Sequence, residues 1–453
     1  MLRKKTIFDG YFYFAMNRKI LNLAIPNIIS NISVPLLGIV DMALMGHLES
    51  DAYIGAIALG SLIFNFIYWG LAFLRMGTSG FTAQAWGRRD IPETIMVFSR
   101  AAFIAMIVSI SLLILQKPIE LLSFWLLKGE SDVEQLASAY FRIRIWAAPA
   151  TVGQFALLGF FLGMQNAKLP MTILVSSNLI NIICNYTFVM KFGMGSDGVA
   201  LGTVIAQYSG LLIALYFLRK YFSRLFKYVS IQAITRWKKL KIFLSVNKDI
   251  FIRTMCLVAV FTFFTSRSAS ADKFDQGEDT ILAVNSILMQ FFMFFSFLID
   301  GFAHASEALA GKYIGSKNKR SLDKFIRLVF LWGAGISFLF TAIYLFAGEG
   351  IFKLLTDNAK IISNAQPYFL WVVLIPVLSF AAFIWDGIFI GATAGVQMRN
   401  AMLISTVLIF FPAYFVLSKF IGNHGLWLAF ILFMVSRGLT MTLLSKRAVY
   451  SKF

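Results

Sequence analysis

With 59% hydrophobic and only 14% charged residues and a mean hydropathy of +0.76, these 453 residues cannot form an ordinary soluble domain, in which about 25% of side chains are charged. The 41 basic against 22 acidic residues give a formal charge of +19, which on composition alone invites a nucleic-acid partner. The bases, however, fall on alternate connections between long apolar runs, a membrane-topology pattern rather than a nucleic-acid face.

Twelve runs are long enough to cross a hydrocarbon core of about 30 Å, roughly at 18–47, 53–85, 94–116, 135–164, 169–191, 197–219, 248–270, 279–310, 325–347, 362–393, 400–419 and 425–445. Span one follows a basic start (Arg3, Lys4, Lys5, Arg18, Lys19). It is long and polar-dotted and lacks a small-residue cleavage site, so no removable signal peptide is read. Arg88 and Arg89 follow span two, and Lys168 follows span four. Arg219 to Lys241 fill the centre, Lys317, Lys319 and Arg320 follow span eight, Arg399 follows span ten, and Lys446 and Arg447 follow span twelve. The other connections are acidic or mixed, with Glu49, Asp51, Glu130, Asp132, Glu134, Asp272, Asp275, Glu278 and Asp279. By the positive-inside rule both termini are cytoplasmic. Cys184 and Cys256 lie inside apolar spans and read as small hydrophobes.

Gly159-Phe160-Phe161-Leu162-Gly163 returns as Gly387-Ile388-Phe389-Ile390-Gly391 (387 − 159 = 228), and Tyr140-Phe141 returns as Tyr368-Phe369. The repeated unit is half the chain, a pattern of transporters that bind substrate between two lobes. The expected fold is therefore all-α and membrane-integral, with twelve transmembrane helices in two pseudo-symmetric six-helix lobes. The N-lobe is placed at 1–225, a cytoplasmic linker at 226–247 and the C-lobe at 248–453. The basic and apolar residues of the linker suggest an amphipathic helix on an anionic lipid surface.

Ionisable groups inside apolar spans are costly and are the functional candidates. Asp41 lies beyond Pro26 and Pro35 in span one, so its protonation is positioned to act on a helix weakened by two missing backbone hydrogen bonds. Asn181 and Asn185 share one face of span five, and Thr203 opens span six at the same depth. Asp300, His304 and Glu307 share one side of span eight, within reach of Asp386 in span ten. Structural pairing of these acids with Arg253, Arg267 or Lys312 is the competing reading. Asp-His-Glu spacing falls short of a full ligand set, so no metal is expected. Asn65, Asn285 and Gln290 are weaker polar candidates. No phosphate-binding glycine loop, GxSxG elbow or HExxH motif is present, so neither ATP-driven pumping nor a familiar hydrolase is read.

Four stretches resemble the multidrug and toxic compound extrusion (MATE) transporters, and in particular their DinF-like branch. They are Pro35-Leu36-Leu37-Gly38-Ile39-Val40-Asp41 with Met45-Gly46-His47-Leu48, then Phe73-Leu74-Arg75-Met76-Gly77-Thr78, then Leu298 to Leu309, and Trp385-Asp386-Gly387 running on to Met398-Arg399-Asn400. The resemblance covers nearly the whole chain. It implies a V-shaped pair of six-helix lobes and export of amphipathic, often cationic, compounds against protons or sodium. It also implies that Asp41, Asn181, Asn185 and Thr203 form the N-lobe coupling cluster, and that Asp300, Glu307 and Asp386 with His304 form an acidic C-lobe pocket. The chain departs from the family at Asn185, where many relatives have aspartate, and at Gln207, where some have glutamate. An amide cannot take up a proton, so Asp41 is left as the titratable acid of the N-lobe and protons are favoured over sodium.

These features together predict a monomeric multi-pass exporter of the bacterial inner membrane that meets small amphipathic or cationic substrates and lipids. It needs no nucleic acid and no cofactor beyond an ion gradient. The alternatives are a lipid-linked precursor flippase, for which Arg75, Arg253 and Arg267 would bind headgroups, and a membrane-embedded transferase, which gives no reason for the repeat.

Overall fold

The computed structural model describes residues 2–45, 51–127, 130–271 and 280–453. His47, Glu49, Asp272, Asp275, Glu278 and Asp279 lie outside them. Among the described residues nearly all are helical and none is in a strand. Among the described residues twelve helices are long and apolar enough to span a membrane. They are α1 (Tyr13–Val40), α2 (Ala52–Gly87), α3 (Ile91–Ile114), α4 (Ser131–Gly163), α5 (Lys168–Lys191), α6 (Ser196–Tyr228), α7 (Trp237–Ala269), α8 (Ile281–Gly315), α9 (Lys319–Leu355), α10 (Ala359–Gly391), α11 (Gly395–Ile421) and α12 (Asn423–Lys452). A short helix, Gln116–Leu126, links α3 to α4.

The chain divides into two compact units. One is Ile29–Asn247; the other is Met1–Ile28 with Lys248–Phe453. The boundary crosses α1 two residues after Pro26, inside a helix that runs unbroken over Leu2–Met45. The early part of α1 is anchored in the second unit. Trp332 Nε1 donates to Asn17 Oδ1 at 3.0 Å, and the Tyr313 hydroxyl meets the Met16 sulfur at 3.1 Å.

The 228-residue repeat is visible as repeated geometry within each unit. A Cβ on Gly159 would stand 2.4 Å from the Arg75 carbonyl oxygen, and one on Gly387 would stand 2.0 Å from that of Ala303 (303 − 75 = 228). One turn on, Gly163 meets the Ser79 carbonyl and Gly391 that of Glu307 (307 − 79 = 228). Only glycine lets α4 approach α2, and α10 approach α8, this closely. The turns repeat too. Arg89 and Lys317 have φ of 59° and 54°, Gln165 and Thr393 have φ of 65° and 50°, and each pair is 228 apart. Asp90 and Asn318 follow as N-caps, accepting from Glu93 N at 3.1 Å and Ser321 N at 2.9 Å.

The seventh helix begins at Trp237, inside the stretch whose charge suggested a linker. Lys239 pairs with Glu93 at 3.4 Å, while buried Phe243 sits 5.4 Å from Phe81 in the core of the Ile29–Asn247 unit. Amphipathic spacing, rather than hydropathy, extends the helix. In that unit a second core cluster around Phe64, Tyr140, Phe141 and Val199 walls the site described next. The other unit is built on interleaved rings, with Phe291 5.0 Å from Phe352 and 5.2 Å from Tyr344.

Candidate functional site

In the Ile29–Asn247 unit the helical spacing of α5 puts Asn181 and Asn185 on one buried stripe. Asn185 Nδ2 donates to Asn181 Oδ1 at 3.2 Å, and Asn181 Nδ2 donates to Thr203 Oγ1 at 3.3 Å. Three of the four expected N-lobe residues are thus brought together. The fourth, Asp41, belongs to the helix Leu2–Met45, but its side chain is outside the described residues.

Beside this chain of amides lies a cavity of about 320 Å³, lined by residues of α1, α2, α4, α5 and α6. Its walls include Leu37 and Gly38 of α1 and apolar Ile54, Ile57 and Val199. They also include polar Ser61, Tyr140, Asn178, Asn181, Thr203 and Gln207. Gln207 is tied to α4 by Gln154 Nε2, at 3.0 Å to its side-chain oxygen and 2.7 Å to its carbonyl. One charged side chain lines the cavity among the described residues, and it is Arg144. Its guanidinium donates to Ser61 Oγ at 2.9 Å and to the Tyr140 hydroxyl. The guanidinium carbon lies 4.9 Å from the centre of the Phe64 ring and 5.4 Å from that of Tyr140. Sequence reasoning passed over Arg144. The signal was an arginine inside an apolar span, two residues after exposed Arg142.

In the other unit Asp386 of α10 is buried between two guanidinium groups, Arg253 of α7 and Arg437 of α12, both bonded to Oδ2. Asp300 of α8 lies in electrostatic range of both arginines, of Asp386 and of His304, and accepts from Ser296 at 3.4 Å. Glu307, fully buried, faces His304 Nδ1 at 3.5 Å. Asp386 and Asp300 therefore do share one electrostatic neighbourhood, as the register on α8 suggested. Among the described residues, of the three cations proposed as structural partners only Arg253 is seen on an acid. Arg267 lies over the rings of Phe263 and Tyr414, and Lys312 has Lys19 as its charged neighbour. Arg437 was not anticipated. Two arginines on one buried carboxylate make Asp386 an ion-pair centre.

Asn285 is held in a buried polar knot with Ser268, Asn423 and Trp427. Asn65 and Gln290 are exposed. Among the described residues no group of three or more His, Cys, Asp or Glu is placed to hold a metal ion. Pro26 is buried and Pro35 half-buried within the unbroken first helix. Asn27 Nδ2 donates to the Leu23 carbonyl at 2.7 Å beside the first, and Ser33 Oγ donates to the Ser30 carbonyl at 2.7 Å before the second.

The sequence matches the MatE family model over residues 26–187 and again over 251–415. It is 35% identical to DNA damage-inducible protein F of Escherichia coli (strain K12), across 96% of this chain and 93% of that protein. Probable multidrug resistance protein NorM of Bacillus subtilis (strain 168) is 22% identical, across 91% and 92%. An outward-facing MATE family transporter of the MOP superfamily superposes with a TM-score of 0.84 at 18% identity, over 96% of each chain, a likeness of fold.

Proposed function

The chain belongs to the MatE family, whose members are multidrug efflux transporters, and from that premise we propose that it is a proton-coupled antiporter. It exports small amphipathic compounds, organic cations among them, across the bacterial inner membrane. The observation that carries this reading is the polar cavity of the Ile29–Asn247 unit. Leu37 and Gly38 line it, and Asp41 follows them by four and three residues, one helical turn further along the helix Leu2–Met45 that contains α1.

Asp41 is the group assigned to hold the proton. Asn181, Asn185 and Thr203 are joined in a hydrogen-bonded chain next to the cavity and can bind or orient a cation, but they cannot take up a proton. The unit boundary just after Pro26 supports a role for Pro26 and Pro35 in bending α1 as Asp41 changes charge. Coupling requires the proton to bind the outward- and inward-facing states with different affinity. Asp300, His304, Glu307 and Asp386 are assigned a mainly structural part, because Asp386 is already neutralised by two arginines. The pairing of Arg253 and the ring contacts of Arg267 speak against the flippase reading as far as it rests on these two arginines as headgroup binders. A monomer with both termini cytoplasmic completes the proposal.

Reconstituted protein in liposomes, given a fluorescent amphipathic compound and either a proton or a sodium gradient, tests it. Proton-driven transport that falls at least tenfold in Asp41→Asn is expected. Full transport by that variant would refute the role of Asp41, and transport driven by sodium alone would move coupling to the neutral oxygens of Asn181 and Thr203.

A further inference from the structure

We infer that the cavity beside α5 is a subsite for an acidic group, and that Arg144 binds the carboxylate or sulfonate of an amphiphilic compound. The inference rests on the exporter reading above and adds to its amphipathic cargo molecules that carry an acidic group.

Four observations carry it. Buried Arg100, Arg253 and Arg437 each bond to an acid: Glu93 for the first, Asp386 for the other two. Arg144 has no acid within salt-bridge distance among the described residues; it bonds to two neutral hydroxyls, and its buried Nε has no hydrogen-bond partner there. Second, the guanidinium lies against the rings of Phe64 and Tyr140, which fixes its orientation as one face of the cavity. Third, the fold does not need an arginine here. The register of the repeat slips by one residue between Phe141/Phe369 and Pro149/Pro376, and the residues 227 and 228 positions on from Arg144, Trp371 and Val372, are both uncharged (371 − 144 = 227; 372 − 144 = 228). Fourth, the rest of the cavity suits the body of such a compound. Ile54, Ile57 and Val199 offer apolar wall, while Asn178 and Gln207 offer amide donors to a second anionic oxygen. A volume of about 320 Å³ holds a headgroup and one or two rings. Among the described residues this cation has no acid bonded to it in the cavity wall, and a bound anion would supply that charge.

The test is equilibrium binding to the purified full-length chain, read by fluorescence anisotropy. The probes are two coumarin dyes, each with two fused rings, identical except that one has a free carboxylate and the other its methyl ester. The acid is expected to bind about tenfold or more tightly than the ester. Arg144→Gln should erase that preference while leaving ester binding within about twofold, and Arg144→Lys should keep part of it. Equal affinities in the wild type, or a preference that survives in Arg144→Gln, would overturn the inference. If Arg144→Gln fails to fold, wild-type protein is treated with phenylglyoxal and the modification of Arg144 is read by mass spectrometry. Protection by the acid but not the ester supports the subsite; equal protection or none overturns it. No gradient enters these measurements, so a failure of proton-driven transport and a failure of acid binding are separately visible.

Discussion

The two units share a scaffold and differ in charge. Glycines at 159 and 163 meet the carbonyls of residues 75 and 79, and glycines at 387 and 391 meet those of residues 303 and 307. The left-handed turn residues and the N-caps recur with the same spacing. Yet Arg144 faces its cavity where the duplicate has uncharged Trp371 and Val372, and Asp386 sits between two arginines where the first copy has buried Leu158 (386 − 158 = 228). Glu120, held by Ser138, Arg142 and Lys117, has Gly348 as its counterpart, packed on the ring of Phe369. Backbone approach and turn chemistry were kept across the two copies, because packing two helices fixes both. Charges diverged, since each is set by what its own unit must bind or balance.

The contrast yields an ordered set of outcomes. Asp386→Asn removes the carboxylate bonded to two buried guanidinium groups, leaving Asp300 in range but not bonded to either, and should cost about 3–5 kcal/mol, read as a large fall in melting temperature. Leu158→Asn, at the matching place in the first copy, should cost less. Gly387→Ala and Gly159→Ala come next, each expected to cost about 2–3 kcal/mol because the new methyl group meets backbone, with Gly387 the more sensitive. A neutral outcome for either would break the claim that the scaffold is duplicated. Asp90→Ala and Asn318→Ala should each cost about 1 kcal/mol and match each other closely. The smallest effect belongs to Glu120, which lies outside the spanning helices. Burial pushes its carboxyl up, but the hydrogen bonds from Ser138, Lys117 and Arg142 together with the Arg142 charge outweigh this and hold it below the usual carboxylate range. Its contribution is therefore present above about pH 4.3, the ordinary unfolded value, and is lost as the pH falls below that. Glu120→Gln should lower stability by up to about 1 kcal/mol at neutral pH, discounted for its exposed partners, and flatten the acid limb of a melting curve.

Much of the architecture could be read without coordinates. Hydropathy located the twelve helices, and the Gly159/Gly387 match located the duplication, because both are written in local sequence. Register along one helix also foresaw that Asn181 meets Asn185 and that Asp300 neighbours His304. What escaped were relations between helices. Arg437 reaches Asp386 across 51 residues of chain, and Arg144 finds Ser61 across 83, so neither periodicity nor composition reports them. The early start of the seventh helix was hidden because Lys238, Lys239 and Lys241 read as linker until Phe243 is seen in a core.

The anchoring of Met16 and Asn17 on Tyr313 and Trp332 has a consequence for biosynthesis. The first helix leaves the ribosome before the residues that receive it exist. At about 5–20 residues per second, some 300 intervening residues delay that docking by roughly 15–60 s. During that interval the early half of α1 sits in the bilayer without its partners, exposed to lipid and to quality-control proteases. A gene cut at the Asn247–Lys248 boundary would give two fragments of similar size, with Met1–Ile28 separated from the unit it packs in.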